Sequence, residues 1–375
     1  MIDYSKIRKE FRKLKVPREI WTPCKVPFEN CAHAVIMSNR TRGKTTNCLL
    51  WLLLLNKHYD LTGAYIRPSE TSTQAKKIRN LFTTIENYHY IEKIFPDKWN
   101  GVYYFGQAYY LCRKDEENKI VEKSATPFLH VFSVDKWDSY KSTFADNKTD
   151  FIIYDEFIRP VYAQDEFIHF MDLFSTIRRN RETTRSIWLA NCTDLFSQYF
   201  RELCVSEQIA GMSEGDNQIV KLPTGAVIYI EIISAIADEK TINLNRFFFG
   251  FPNKKLQSII GGGFAIPMFP HIIRANKDIL ARNIYVNYNG NLLNLRLCYN
   301  QELGFFVDCS PANRTYDDSY IYTNGEITKS NEHYKIGNGN EIDRRIWGLY
   351  KENRFYFSDN TTGAMIAAYY KESYL

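Results

Sequence analysis

No two cysteines in this sequence stand in a Cys-x-x-Cys pair. The eight that occur, at positions 24, 31, 48, 112, 192, 204, 298 and 309, are scattered, and neither His33 nor His130 lies at a metal-ligand spacing from them. That pattern argues against a zinc module or a disulfide scaffold and fits reduced, mostly buried thiols in an intracellular protein. A secretory signal is also missing, since the opening MIDYSKIRKE has no apolar segment. The run CLLWLLLL, Cys48 to Leu55, falls far short of the roughly 20 apolar residues of a membrane span. It reads as a buried helix, and no membrane partner is expected. Charge of one sign is scarce too. The 48 basic residues exceed the 43 acidic ones only enough for a formal net charge of +5, which permits a local basic track without requiring a nucleic-acid partner. The densest basic run, KIRKEFRKLKVPR, reads as a solvated arm or short helix rather than as a dedicated binding tail. Neither an internal repeat nor a low-complexity tract is present.

What remains is the composition of an ordinary folded chain, 45% apolar and 24% charged over 375 residues, a length that favours two domains. The first part alternates strands and helices: AVIMS, a helix from about Lys44 to Lys57, GAYIR, a helix over SETSTQAKKIRNLFTTIENY, the hairpin GVYYFGQAYYLCRK, then PFLHVFSV and DFIIYDEF. The helix QDEFIHFMDLFSTIRRNR and the strand RSIWLAN follow. This order predicts an α/β domain with a mostly parallel sheet covered on both faces. NQIVKLPTGAVIYIEI reads as a hairpin at its edge, which places the domain at 1–235. The Gly- and Pro-bearing stretch 236–280 reads as a linker. From 281 to 375 the pattern becomes strand–turn–strand, with an Asn-Gly turn inside NIYVNYNGNLLNLRLCYN and a closing helix over TGAMIAAYYKESY. A smaller α+β domain is expected there.

The segment SNRTRGKTT joins the first strand to the first long helix. It matches the phosphate-loop pattern G-x-x-x-x-G-K-[ST], with Ser38 in place of the first glycine and Gly43, Lys44 and Thr45 in the other fixed positions. Backbone N–H groups over Asn39, Arg40, Thr41, Arg42, Gly43, Lys44, Thr45 and Thr46 are expected to cradle phosphate at the helix N-terminus. Lys44 is expected to reach the β- and γ-phosphates, and the Thr45 hydroxyl to ligate Mg²⁺. The roles of Arg40 and Arg42 stay open between phosphate contact and solvent. FIIYDEF then sets Asp155 and Glu156 at the end of a buried strand, where paired carboxylates need a cation or a catalytic use. Asp155 is expected to hold Mg²⁺ and Glu156 to polarise the attacking water. Asn191 ends the next strand, where it senses the γ-phosphate or merely caps a turn. STIRRNRETTR packs Arg178, Arg179, Arg181 and Arg185 together, either as a basic helix end or as the source of an arginine finger.

A phosphate loop led by serine with arginine inside it, a YDEF acidic strand end, STIRRNR and a strand ending in Asn together resemble viral genome-packaging ATPases of the terminase large-subunit superfamily. The length and the DEF context look most like the short DNA-encapsidation proteins of small podoviruses of the Picovirinae type. The resemblance rests on residues 30 to 200. It implies an ASCE-type P-loop ATPase domain, a linker and an RNase H-like second domain. It also implies a ring, a pentamer, on the portal of a procapsid, using ATP and Mg²⁺ to drive double-stranded DNA inward. Such a protein acts in the host cytoplasm during phage assembly and is not expected in the mature virion. Glu156 would be the catalytic base, Asn191 the coupling residue, and Arg179 or Arg181 the finger. A packaging RNA on the portal is a partner in part of this group, and nothing in the sequence shows one. The strands NIYVNY and NLLNLRLCYN contain no Asp or Glu, so the second domain is expected to lack nuclease activity; Asp308, Asp317 and Asp318 come later. For DNA contact, Lys76, Lys77 and Arg79, or Arg113 and Lys114, are candidates. A helicase-like P-loop ATPase and a nucleotide-gated scaffold without turnover are the competing readings.

Overall fold

The alternation of strands and helices in the first part of the chain does build a mostly parallel sheet. A computed structural model describes residues 2–38, 42–140, 149–158, 163, 165–179, 181–191, 197–234, 269–271, 275, 277–316, 319–337 and 339–374. The chain divides into two compact units, Met1–Ala265 and Ile266–Leu375. That division falls within the expected 236–280 linker, most of which lies outside the described residues.

The first unit opens with α1 (Tyr4–Lys13), β1 (His33–Ser38), α2 (Lys44–Tyr59) and β2 (Thr62–Arg67). Four short helices follow, α3 (Glu70–Thr73), α4 (Ala75–Ile78), α5 (Thr83–Asn87) and α6 (Tyr90–Ile94). Then come β3 (Gly101–Phe105), β4 (Ala108–Lys114), β5 (Ile120–Lys123), β6 (Leu129–Ser133), β7 (Thr149–Asp155), α7 (Glu166–Arg178) and β8 (Arg185–Asn191). The small helices α8 (Gln198–Glu202) and α9 (Ser206–Ala210) precede the hairpin β9 (Asn217–Lys221) and β10 (Val227–Ile232). Across the sheet the order is β3-β4-β6-β2-β7-β8-β1-β10-β9, with β5 beside β4. The six strands from β6 to β10 run parallel, which brings their C-terminal ends to one edge. Both faces are covered, as a parallel sheet requires. One core gathers Trp51, Tyr65, Phe82 and Phe151; the other gathers Tyr154, Phe170, Trp188 and Phe200.

Local chemistry explains these elements. The basic run is the short helix α1, which buries Tyr4, Ile7 and Phe11 and leaves Lys6, Lys9, Arg12 and Lys13 outside. It lies over α2, where every residue from Leu49 to Leu55 is at most 2% exposed. The single helix expected over SETSTQAKKIRNLFTTIENY is instead broken into α3, α4 and α5. Ser72 and Thr73 turn their hydroxyls back onto the carbonyls of Ser69 and Glu70, and such local bonds compete with helix continuation.

The second unit holds β11 (Ile279–Tyr288), β12 (Asn291–Asn300), β13 (Gly304–Pro311), β14 (Ile321–Thr323), β15 (Glu332–Tyr334), α10 (Glu341–Lys351), β16 (Phe355–Phe357) and α11 (Asn360–Tyr374). The Asn-Gly turn joins β11 to β12 with φ of 52° and 83°, the left-handed pair such a tight turn demands. Strand order is β15-β14-β11-β12-β13-β16. Three antiparallel strands flanked at β11 by two parallel ones give the arrangement of an RNase H-like core. The helix α10 went unforeseen, although Asn340 and Asp343 form a capping box at its start.

Candidate functional site

Strand β1 and helix α2 meet at Gly43, which caps the helix with φ 69°. A side chain there would collide with Ile20, whose Cγ2 lies 2.2 Å from the position of a Cβ. Only glycine permits both the left-handed turn and this close approach. Asn39, Arg40 and Thr41 lie outside the described residues. Lys44 is buried at 7% exposure. Its ammonium donates to Ser38 Oγ at 2.5 Å and to Asn191 Oδ1 at 3.3 Å. Ser38 thus serves the lysine, and Ser38 and Asn191 are register partners on β1 and β8.

Asp155 ends β7, and β8 lies between that strand and β1. Thr45 Oγ1 donates to Asp155 Oδ2 at 2.9 Å. Tyr65 and Arg67 reach the same oxygen from β2, the phenol donating at 2.7 Å and Arg67 Nη1 at 3.4 Å. Arg67 Nη2 also pairs with Glu156. Glu156 has φ 51° and a half-exposed side chain, so the backbone is turned to carry this carboxylate off the strand end. Burial pushes the Tyr65 phenol well up, and the Asp155 charge adds to it. Burial opposes charge on Arg67 but is outweighed by Tyr65, Asp155 and Glu156, which raise its pKa.

The donor set suits Mg²⁺. Thr45 and Asp155 offer hard oxygens 2.9 Å apart at a helix N-terminus, and Mg²⁺ in phosphate sites takes one or two protein oxygens and completes its shell with phosphate and water. Among the described residues no group of three or more His, Cys, Asp or Glu forms a metal cluster, so a site assembled together with the nucleotide is the kind this donor set fits. Thr46 is half-buried beside them.

Next to the loop, a groove of about 880 Å³ is lined by Ile20, Trp21, Arg42, Glu231, Ile232 and Ile233, among others. The segment before β1 is stitched to the loop: Trp21 N donates to Arg42 O at 3.1 Å, and Asn47 Nδ2 donates to Trp21 O. Arg42 Nε and Nη1 are buried without a hydrogen-bond partner, and burial lowers its pKa. Glu231 accepts from Trp21 Nε1 at 2.9 Å and Tyr229 OH at 3.2 Å, while burial pushes its carboxyl up. Arg42 is therefore half-buried on the groove wall, with Nε and Nη1 out of solvent, a placement its sequence context left open.

The arginine cluster divides. Arg181 Nε donates to Asp150 Oδ1 at 2.6 Å, and its Nη2 donates to the carbonyls of Thr149 and Ile177 at 2.6 and 2.5 Å. Asp150 is five residues before Asp155 on β7, about 16 Å away at strand spacing. Arg181 is thus bound within its own chain at the far end of the sheet, which corrects its expected candidacy as a finger. Arg185 is tied similarly to the carbonyl of Phe28 at 2.6 Å. Arg179 is exposed at the end of α7, with φ 48° and ψ −122°.

Two other expectations change character. Arg113 pairs with Glu122 and Lys114 with Glu86, so their charge is balanced locally, whereas Lys76, Lys77 and Arg79 are exposed on and just after α4. In the second unit Asp308 is buried and pairs with Arg296 at 2.7 Å; Asp317 and Asp318 lie outside the described residues. Sequence reasoning missed Tyr65, Arg67, Trp21 and Glu231. Arg67 carried a faint signal, as a charge at the tip of an apolar strand.

Among the described residues no helix is long and apolar enough to cross a membrane. No protein-family model matches the chain, and no curated protein matches it in sequence. Among solved structures it is similar to the bacteriophage Phi-29 viral genome packaging motor assembly, at 16% identity and a TM-score of 0.59 over 95% of this chain and 99% of that one. It is likewise similar to the Phi-28 gp11 DNA packaging motor, at 16% identity and a TM-score of 0.57 over 95% and 98% of the two chains. With the P-loop, the acidic strand end and the strand order already in place, the chain has the fold of these phage packaging-motor proteins over nearly its whole length.

Proposed function

We propose that this chain is the ATP-hydrolysing subunit of a phage DNA-packaging motor, driving double-stranded DNA into a procapsid from a ring at its portal. The observation that carries the reading is the meeting of Lys44, Thr45, Asp155, Glu156 and Asn191 at one edge of the parallel sheet. The fold shared with two packaging-motor structures favours packaging over strand separation or a scaffold without turnover.

In this reading the backbone of Asn39 to Thr46 and the Lys44 ammonium take the phosphates of ATP. Thr45 and Asp155 hold the Mg²⁺, whose chemistry is to neutralise charge on the β- and γ-phosphate oxygens. The groove takes the nucleoside: Ile20, Ile232 and Ile233 supply apolar walls, and Arg42 Nε and Nη1 gain an acceptor. Glu156 accepts the proton of the attacking water once it leaves Arg67. That pairing holds the carboxylate against Arg67 until the site fills. Asn191 registers the γ-phosphate through Lys44, and Arg179 reaches the ATP of a neighbouring subunit. The second unit is an RNase H-like scaffold that does not cleave, since β11 carries no acid and Asp308 is neutralised by Arg296. Plasmid nicking supported by Mn²⁺ would overturn that last point.

The test compares wild type with Glu156→Gln and Lys44→Ala, with DNA and procapsid present. Glu156→Gln is expected to bind a fluorescent ATP analogue normally and to lose turnover by at least about a hundredfold. Lys44→Ala is expected to lose binding. Turnover in Glu156→Gln equal to wild type refutes the assignment. Turnover with strand separation and no DNA uptake indicates a helicase instead.

A further inference from the structure

Tyr65 lies in the middle of the first unit and is 1% exposed. Its ring packs in the same core as Trp51, Phe151 and Ile153, a place where phenylalanine would serve for packing alone. A buried hydroxyl must be satisfied, and this one has two partners. It donates its single proton to Asp155 Oδ2 at 2.7 Å and accepts from Arg67 Nη1 at 3.1 Å. Register explains the reach. Tyr65 is opposite Ile153, so Asp155, two residues further along, presents its side chain to the same face one pleat ahead.

We propose that Tyr65 is a positioning residue for the Mg²⁺ site: its hydroxyl fixes the rotation of the Asp155 carboxylate so that this oxygen and Thr45 Oγ1 face one point. The inference rests on the ATPase reading above. The geometry leaves Asp155 little freedom. Oδ2 accepts from Thr45, Tyr65 and Arg67, while Oδ1 accepts from the backbone N–H of Glu156 at 3.0 Å. Of the three side-chain donors, Thr45 must offer a lone pair to the metal and Arg67 is shared with Glu156. Tyr65 neither ligates the metal nor serves Glu156, so it is the donor left to hold the carboxylate when the metal enters. Partners behind a metal ligand set its orientation, and their loss typically weakens metal binding about 10- to 100-fold.

The experiment titrates Mn²⁺ into the full-length chain bound to a non-hydrolysable ATP analogue, with free Mn²⁺ read by electron paramagnetic resonance. Tyr65→Phe is expected to bind Mn²⁺ at least about tenfold more weakly than wild type, with analogue affinity in EDTA unchanged. A merely structural role predicts something else: equal Mn²⁺ affinities, or a matching loss of metal-free analogue binding, and either result overturns the proposal. Should Tyr65→Phe fail to fold, Tyr65→Met supplies the same comparison. A wild type that binds the analogue with no Mn²⁺ dependence sinks the ATPase reading itself, and the inference with it.

Discussion

Replacing Arg181 by alanine separates a structural arginine from a catalytic one. In the structure its guanidinium makes three hydrogen bonds, one to Asp150 and two to backbone carbonyls. The Asp150 side chain is 7% exposed and that of Arg181 is 20% exposed. Breaking a buried pair by removing one partner costs about 3–5 kcal/mol. Thr183 and Thr184 still donate to Asp150, at 2.6 and 2.9 Å, which places the loss near the lower figure, about 3 kcal/mol. For a unit of this size each kcal/mol moves the melting midpoint by about 2–4 °C, so Arg181→Ala is expected to melt roughly 6–12 °C lower. Asp150→Asn added to that variant should restore part of the loss, because it removes the stranded charge. The contrast is Arg179→Gly. Its backbone occupies a region that glycine tolerates best, so the relief of strain offsets what losing the side chain's contacts costs. ATP turnover by the assembled ring on DNA should nevertheless fall by about a thousandfold or more. Calorimetric melts and ring-dependent ATPase rates for the two variants decide the matter. An Arg181→Ala protein with an unchanged melt and lost ring turnover would refute the assignment, as would Arg179→Gly with normal turnover.

Two further outcomes follow from the same structure. Gly43→Ala puts a methyl 2.2 Å from Ile20 Cγ2 at a φ of 69°, and ATP-analogue affinity is expected to fall more than about tenfold, with roughly 1–2 kcal/mol lost in urea unfolding; Ile20→Ala in the same chain should relieve the collision and leave the backbone strain. His33 is packed against the rings of Phe174 and Trp188, and burial followed by the charge of Arg185 lowers its pKa from 6.5 to about 4. The unfolded chain therefore binds this proton first. The stability His33 contributes is complete above pH 6.5 and lost as pH falls towards 4, up to about 3 kcal/mol; His33→Gln should flatten that part of the melt-versus-pH curve, and an unchanged slope would show that other groups set it.

The legible parts of this protein were those whose signals are local. The phosphate loop needs a strand, a glycine at the turn and a helix start, all within a dozen residues, and SNRTRGKTT supplied them. CLLWLLLL announced a helix buried on all sides, and the Asn-Gly pair announced the β11–β12 turn. Failures came where local signals competed. SETSTQAKKIRNLF has helical composition, yet its serines and threonines bond their own backbone and break the helix. The finger candidates failed to separate because Arg179 and Arg181 are two residues apart and alike in composition; only Asp150, 31 positions away, tells them apart.

By itself the sequence determined the chemistry on offer: a lysine and threonine at a helix start, two carboxylates at a strand end, and a first strand of the second unit without an acid. Those facts follow from residue type and near-neighbour spacing, which no fold alters. Only the tertiary structure decided which groups meet. Strand order set β2 against β7 and so delivered Tyr65 and Arg67 to Asp155. Trp21 and Glu231, 210 residues apart, were brought together beside the loop. Such pairings depend on long-range register, and register is set by packing of the whole sheet rather than by any short stretch of chain.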